Sequence, residues 1–319
     1  MRGLIGARVS PIAHQLWIAA EVADRHAPRV LLADEVGLGK TIEAGLILHR
    51  MQLAGRIARV LILVPEPLLH QWLVELLRRF NLSVALFDGE RIAAGLAGSG
   101  PTDNPFLGEQ RVLCSLDALT ATPAAARAAL EGAWDLLIVD EAHHLRWTPE
   151  ESSLEYDLVA ALAADTPAVL LLTATPEQLG RAGHFARLRL LDPHRFGDFT
   201  AFLAEEADYA PVAELAGRLI DGTGLTPEQQ ALLERLLGDT ADVAPEQLVA
   251  RLLDRHGTGR VLFRNTRAVI PGFPIRRVHP APLQVPEDYG PAATASPWPE
   301  RIAGPDWTDL DPRVDWLIE

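Results

Sequence analysis

Cysteine is nearly absent: Cys114 stands alone in 319 residues, which excludes an internal disulfide. Its setting, Val112-Leu113-Cys114-Ser115, reads as a small buried residue on a strand, not as a catalytic thiol. Long apolar runs are missing too. None approaches the roughly 18 residues that a membrane span requires. The N-terminus, Met1-Arg2-Gly3-Leu4-Ile5-Gly6-Ala7, lacks the sustained apolar core of a signal peptide, so a cytoplasmic protein is expected. Positive charge is scarce: 29 Lys and Arg against 43 Asp and Glu leave a net charge of −14. Proteins that track a phosphate backbone carry a basic stripe. Here basic residues cluster only at Arg78-Arg79, Arg264/Arg267 and Arg276-Arg277, which read as solvated helix or loop ends. This chain by itself should bind duplex DNA weakly, and its acidic surface suits a protein partner equally well.

What is present is a globular composition, 48% apolar and 23% charged, long enough for one large or two modest domains. The organising stretch runs Val30-Leu31-Leu32-Ala33-Asp34-Glu35-Val36-Gly37-Leu38-Gly39-Lys40-Thr41. An aliphatic strand breaks into a glycine-bearing turn and then a helix, the context of a phosphate-binding P-loop. Glycines let backbone amides close around phosphates, Lys40 can reach the β- and γ-phosphates, and the Thr41 hydroxyl can take a Mg²⁺ position. The helix N-terminus adds partial positive charge. One departure is visible: Asp34 stands where the G-x-x-x-x-G-K-[ST] pattern has glycine. About 100 residues on, Asp135-Leu136-Leu137-Ile138-Val139-Asp140-Glu141-Ala142-His143-His144 again ends an apolar strand in charge. In a P-loop enzyme the strand-end Asp holds Mg²⁺ through water, and the next Glu orients or deprotonates the attacking water.

The remaining strands, Val60–Val64, Val84–Phe87, Arg111–Ser115 and Val169–Leu172, alternate with helical segments. Nearly all-aliphatic strands predict a parallel sheet covered by helices on both faces. Ligands in such sheets bind beyond the carboxyl ends of strands, where Lys40, Asp140 and Thr173 fall. Residues 88–108 read as an exposed loop, and 193–257 as short helices. Phe196, Phe199 and Phe202 share a face and belong to the core. From Pro271 to Pro312 proline and glycine recur, the pattern of a linker or wrapped extension. His143 and His144 beside two carboxylates invite a metal reading. Neighbouring histidines should project differently, and no further Cys or His motif completes a zinc site, so hydrogen bonding at the strand end is favoured.

Asp34-Glu35-Val36-Gly37-Leu38-Gly39-Lys40-Thr41 resembles the first motif of the Swi2/Snf2 ATPases of helicase superfamily 2, in which Asp replaces the first P-loop glycine. Asp140-Glu141-Ala142-His143 resembles their DEAH box and Leu172-Thr173-Ala174-Thr175-Pro176 their third motif. Pro11–Gln15, His70–Glu75, His184–Leu191 and Arg260–Arg267 suggest a bacterial, RNA-polymerase-associated branch of the family. The resemblance implies an α/β, RecA-like lobe at 1–192, a helical extension and last strand at 193–270, and a linker at 271–319. It implies ATP and Mg²⁺ as ligands. Gln15 would read the adenine edge and Asp34 to Thr41 would hold the phosphates. Asp140 with Thr41 would hold Mg²⁺, and Glu141 would activate water. Ala142, His143, Thr173, Ala174 and Thr175 would couple nucleotide state to DNA. Ser115-Leu116-Asp117 resembles a motif near the DNA backbone. The implied partners are RNA polymerase, whose recycling such proteins promote, and duplex DNA. A second lobe supplies transition-state arginines in this family, and the motifs matched here all belong to the first lobe. The expectation is therefore a first motor lobe. Two alternatives stand beside it: a non-hydrolysing nucleotide-binding module, and a fragment of a DEAH-type helicase.

Overall fold

Seven strands run parallel in the order β3-β4-β2-β5-β6-β1-β7. They are β1 (Arg29–Leu32), β2 (Val60–Val64), β3 (Ala85–Phe87), β4 (Arg111–Ser115), β5 (Leu136–Val139), β6 (Ala168–Leu172) and β7 (Leu262–Phe263). The computed structural model describes residues 8–9, 11–35, 37–97, 104–173, 180–220, 223–238, 243, 248, 261–263, 280–284 and 307–318. Two compact units divide the chain, residues 1–271 and 272–319. In the second, the described helices are Trp307–Leu310 and Pro312–Ile318. Most of the Pro271–Pro312 stretch lies outside the described residues. No helix among the described residues is long and apolar enough to cross a membrane.

Strand periodicity explains why both faces are covered. In β2, Leu61 and Leu63 enter one core, while Val60, Ile62 and Val64 enter the other. β5 and β6 divide in the same way, with Leu137, Val139, Val169 and Leu171 opposite Leu136, Ile138, Leu170 and Leu172. Successive side chains point to opposite faces, so an all-aliphatic strand needs two apolar partners. One face receives α1 (Ala13–Asp24), α2 (Lys40–Leu53) and α3 (Leu69–Phe80). The other receives α4 (Gly89–Ala97), α5 (Leu116–Thr120), α6 (Pro123–Leu130), α7 (Leu154–Asp165), α8 (Gly180–Leu191) and the start of α9 (Phe199–Ile220). The parallel, doubly covered sheet is as the aliphatic runs predict.

Two local expectations need correction. Residues 88–108 are not a loop throughout, because α4 and a 3-10 turn at Pro105–Gly108 occupy much of it. Asp88 Oδ1 accepts the Arg91 amide at 2.8 Å, and Ile92 is buried under the helix. Glycine and small residues hid that one-sided burial. Likewise α9 is a single helix of 22 residues, with Pro211 inside it, where short pieces were expected. Phe196, Phe199 and Phe202 do pack as core, against Phe185 or one another. Farther along, Leu215 of α9 and Leu233 of α10 (Pro227–Leu237) join Leu248 in a small separate cluster. Thr226 caps α10, its hydroxyl accepting the Gln229 amide, and Gly238 closes it.

The approach of α2 to α3 depends on a missing side chain. A Cβ on Gly45 would strike the Phe80 ring, with Cδ2 at 3.0 Å and Cε2 and Cζ closer still. Phe80 is buried and has no room to retreat. Gly45→Ala should therefore destabilise the fold by about 1–3 kcal/mol, despite alanine's better helix propensity. Urea unfolding followed by circular dichroism measures it, and an unchanged midpoint would contradict the packing argument.

Candidate nucleotide site

Sheet order brings the two motifs together. β6 lies between β1 and β5, with Leu32 level with Leu172 and Val139 level with Leu171. The turns that follow these strands therefore open at one edge: Asp34 after β1, Thr173 after β6, and Asp140 after β5. Gly37 (φ 84°) and Gly39 (φ 89°) sit in the left-handed region, where a side chain is strained. Gly39 caps α2, its carbonyl accepting the Ile42 and Glu43 amides at 2.8 and 3.0 Å. The loop thus hands over to the positive end of a 14-residue helix. Lys40 Nζ folds back to donate to the Asp34 carbonyl at 2.8 Å. Lys40 is also the only lysine in the chain, every other basic side chain apart from histidine being arginine.

Gln15 is buried against this loop. Its Nε2 donates to the Leu38 carbonyl at 2.7 Å, and its Oε1 accepts the Ile12 amide at 3.2 Å. A Cβ on Gly39 would overlap Gln15 Nε2 and displace that side chain, so the backbone angle that requires glycine is reinforced by a contact. Each Gln15 group keeps a second hydrogen-bonding position. Behind the loop lies a cluster that sequence reading missed. His14 Nε2 is 3.5 Å from Asp34 Oδ2 and 3.4 Å from Glu43 Oε1, and both carboxyl groups are fully buried. Burial first, then the charge of and a hydrogen bond with Asp34, push the Glu43 carboxyl up to about 10, against an opposing pull from Lys40. Burial lowers the His14 pKa, opposed by Asp34. These groups could also gather a metal ion, since their ligand atoms lie within 4.8 Å of one another. A proton retained by Glu43 already accounts for two carboxyl groups side by side.

Asp140 is held at both oxygens. Trp72 Nε1 donates to Oδ2 at 2.7 Å, and the Glu141 amide donates to Oδ1 at 2.8 Å. Burial raises its pKa, while those two donors and the charge of Lys40 pull the other way. Each oxygen retains a second lone pair, which suits holding a cation through water. Glu141 has a left-handed backbone (φ 48°, ψ 42°) that opens a tight turn, Ala142–His144. Within that turn the His143 and His144 rings pack at 4.1 Å, so they do not diverge as expected. His143 Nδ1 lies 3.0 Å from Glu141 Oε2, and burial lowers the His143 pKa. Thr173 Oγ1 is buried and has no hydrogen-bond partner among the described residues. That orphan hydroxyl, the left-handed glycines and the helix N-terminus together fit a Mg²⁺-nucleotide. Val36, Ala174 and Thr175, also expected at the site, lie outside the described residues. Beyond Glu141 a cleft of about 290 Å³ is bordered by Pro65, Asp117, His144, Arg146 and Glu155.

Four residues that join this geometry escaped the sequence reading: His14, Glu43, Trp72 and Arg187. Only position hinted at them. His14 precedes Gln15, Glu43 follows Lys40 by three residues, and Trp72 and Arg187 lie within stretches that resemble the polymerase-associated branch.

Comparison with known proteins agrees with this geometry. A family model described as the SNF2-related domain matches residues 17–240. RNA polymerase-associated protein RapA of Vibrio cholerae serotype O1 (strain M66-2) is 51% identical over 358 aligned positions, which cover 100% of this chain and 37% of that protein. RapA of Pseudomonas putida (strain GB-1) is 55% identical over 339 positions, covering 99% of this chain and 35% of that protein. The chain therefore spans little more than a third of the length of these curated relatives. Among solved structures, the Sulfolobus solfataricus SWI2/SNF2 ATPase core in complex with dsDNA has the same fold, with a TM-score of 0.55 at 17% identity. That alignment covers 85% of this chain and 48% of the other. With a P-loop strand and an Asp-Glu strand meeting at one end of a parallel sheet, and a family match across most of its length, the chain belongs to the SNF2-related domain family.

Proposed function

We propose that this chain is the first, nucleotide-binding lobe of a DNA-dependent ATPase that acts on RNA polymerase in the cytoplasm. The observation that carries the reading is Lys40 Nζ, folded onto the Asp34 carbonyl at 2.8 Å across a loop with two left-handed glycines. An ammonium parked on one neutral carbonyl can exchange it for phosphate oxygens, a stronger, charge-assisted partner. The amides at the start of α2 receive the phosphates. Gln15 uses its remaining donor and acceptor on the base. Thr41 and Asp140 would hold Mg²⁺, which when bound neutralises phosphate charge. Glu141 takes the proton of the attacking water, and His143, beside it, with Thr173, Ala174 and Thr175, relays the state of the γ-phosphate.

RNA polymerase as partner rests on the names of the RapA relatives, and promotion of its recycling on the family resemblance. Duplex DNA is the track on which the lobe works, though a net charge of −14 keeps its own grip weak. In domain terms, 1–192 is the nucleotide lobe, 193–270 its helical extension and last strand, and 271–319 a linker toward a second lobe.

The single lysine makes the test direct. An amine-reactive reagent should label Lys40 and the terminal amine, and Mg·ATP should protect Lys40 alone. Titration with a fluorescent ATP analogue should saturate, and Lys40→Ala should weaken binding at least about tenfold. Equal binding by the variant, or labelling indifferent to Mg·ATP, would refute the assignment.

A further inference from the structure

Arg187, on α8, is buried. Its Nε and Nη2 both donate to the Ala142 carbonyl, at 3.1 and 3.0 Å. Nη2 also reaches the carbonyls of His143 (3.0 Å) and Leu145 (2.7 Å). Nη1 donates to the Gly183 carbonyl, one turn back along α8. Among the described residues its hydrogen-bond partners are all backbone carbonyls, and burial pulls the guanidinium pKa down to about 10. A buried cation without a carboxylate is an expensive arrangement. What it satisfies are the carbonyls of His143 and Leu145 and the second lone pair of the Ala142 carbonyl, which already accepts the Leu145 amide.

Those carbonyls follow directly on Glu141, whose positive φ costs a non-glycine residue of order 1–3 kcal/mol unless its surroundings enforce it. Inside the turn only two backbone bonds help, His144 to Glu141 at 2.9 Å and Leu145 to Ala142 at 3.2 Å. Beside them the Glu141 amide donates to Asp140 Oδ1 at 2.8 Å and His143 Nδ1 lies 3.0 Å from Glu141 Oε2, and from outside the turn α8 adds Arg187. We propose that Arg187 is a positioning residue for hydrolysis: it gathers the Ala142, His143 and Leu145 carbonyls and so holds Glu141 in its left-handed conformation. This rests on the reading of Glu141 as the water-activating carboxylate. Lysine cannot replace the clamp, because one ammonium on a flexible stem does not span a planar fork of carbonyls.

The test uses the full-length ATP-hydrolysing protein that contains this chain, with Arg187→Lys, Arg187→Gln and Glu141→Gln variants. For the two Arg187 variants we expect kcat to fall about ten- to a hundredfold. KM for ATP and the Kd of a fluorescent ATP analogue should stay within about threefold of the parent. A role confined to stability would leave kcat per folded molecule unchanged. That result, or a loss appearing only in KM and Kd, would overturn the inference while an inactive Glu141→Gln still upheld the reading of Glu141. Normal turnover by Glu141→Gln would remove the reading itself, and this inference with it. Hydrogen exchange on the unaltered protein decides the matter if both Arg187 variants fail to fold. The His144 and Leu145 amides should then be protected as strongly as those of α8, and exchange at the rate of an open loop would overturn the clamp.

Discussion

Joining this chain to the arginine-bearing second lobe of an SNF2-family motor should raise its ATP turnover by about 10³–10⁵-fold. Phosphoryl transfer spreads charge over three equatorial oxygens, and positioned cations supply most of the catalysis. Among the described residues, Lys40 is the cation whose charge bears on both Asp140 and Glu43. Arg187 stands close behind the Asp140–Glu141 turn, but its donors are committed to carbonyls of residues 142, 143, 145 and 183. It cannot turn to face a phosphate without dismantling that turn. The cleft side is acidic in the balance, with Asp117, Asp140, Glu141 and Glu155 against Arg146. The chain alone should therefore bind nucleotide yet release phosphate near background, with or without duplex DNA and with either lysine or alanine at position 40. Phosphate release at saturating Mg·ATP, with Lys40→Ala as the blank, measures both states. Robust DNA-stimulated hydrolysis by the chain alone, abolished in Lys40→Ala, would mean that a second copy or another subunit completes the cleft.

Glu43→Gln should stabilise the protein at neutral pH by about 3 kcal/mol. The buried Glu43 carboxyl is pushed up to about 10 from an ordinary 4.5, so the folded chain keeps a proton that the unfolded chain gives up. Below pH 4.5 both states are protonated and the group costs nothing. As pH rises through 4.5, only the unfolded state ionises, and stability falls continuously until the folded group also ionises near pH 10. Glutamine retains a donor for Asp34 and has no proton to lose. The groups facing Glu43 are His14 from α1, Asp34 from the loop and Lys40 from its own helix. Denaturant midpoints from pH 4 to pH 9 should converge for the two proteins at the acid end and diverge steadily above it. A variant less stable than the parent at every pH would show that Glu43 is ionised and paired with a charged His14, which the burial of both groups opposes.

Much of the fold was legible in local pattern. Aliphatic runs such as Val60–Val64 and Val169–Leu172 can satisfy both faces only inside a covered parallel sheet, so the layer order followed from composition and spacing. Gly37, Gly39 and Lys40 announced a glycine turn feeding a helix because their chemistry is local: left-handed backbone and a helix start arise from neighbours in sequence. Glycine-rich residues 88–108 misled, since α4 is stabilised by burial of Ile92, which local composition does not report. The long α9 was missed for the same reason, being a helix whose first turn is anchored on the distant Phe185.

Sequence alone determined that this is a P-loop α/β lobe, and which strand ends carry its lysine and its paired carboxylates. Tertiary structure alone decided the state of those groups. Trp72, 68 positions before Asp140, fixes that carboxylate; Arg187, 45 positions after Ala142, fixes the turn behind it. Burial between α1 and α2, beside Asp34, is what pushes the Glu43 carboxyl up. Periodicity encodes which face of an element is apolar. Protonation and side-chain direction depend on desolvation and on partners brought from remote parts of the chain, and those exist only once the sheet has assembled.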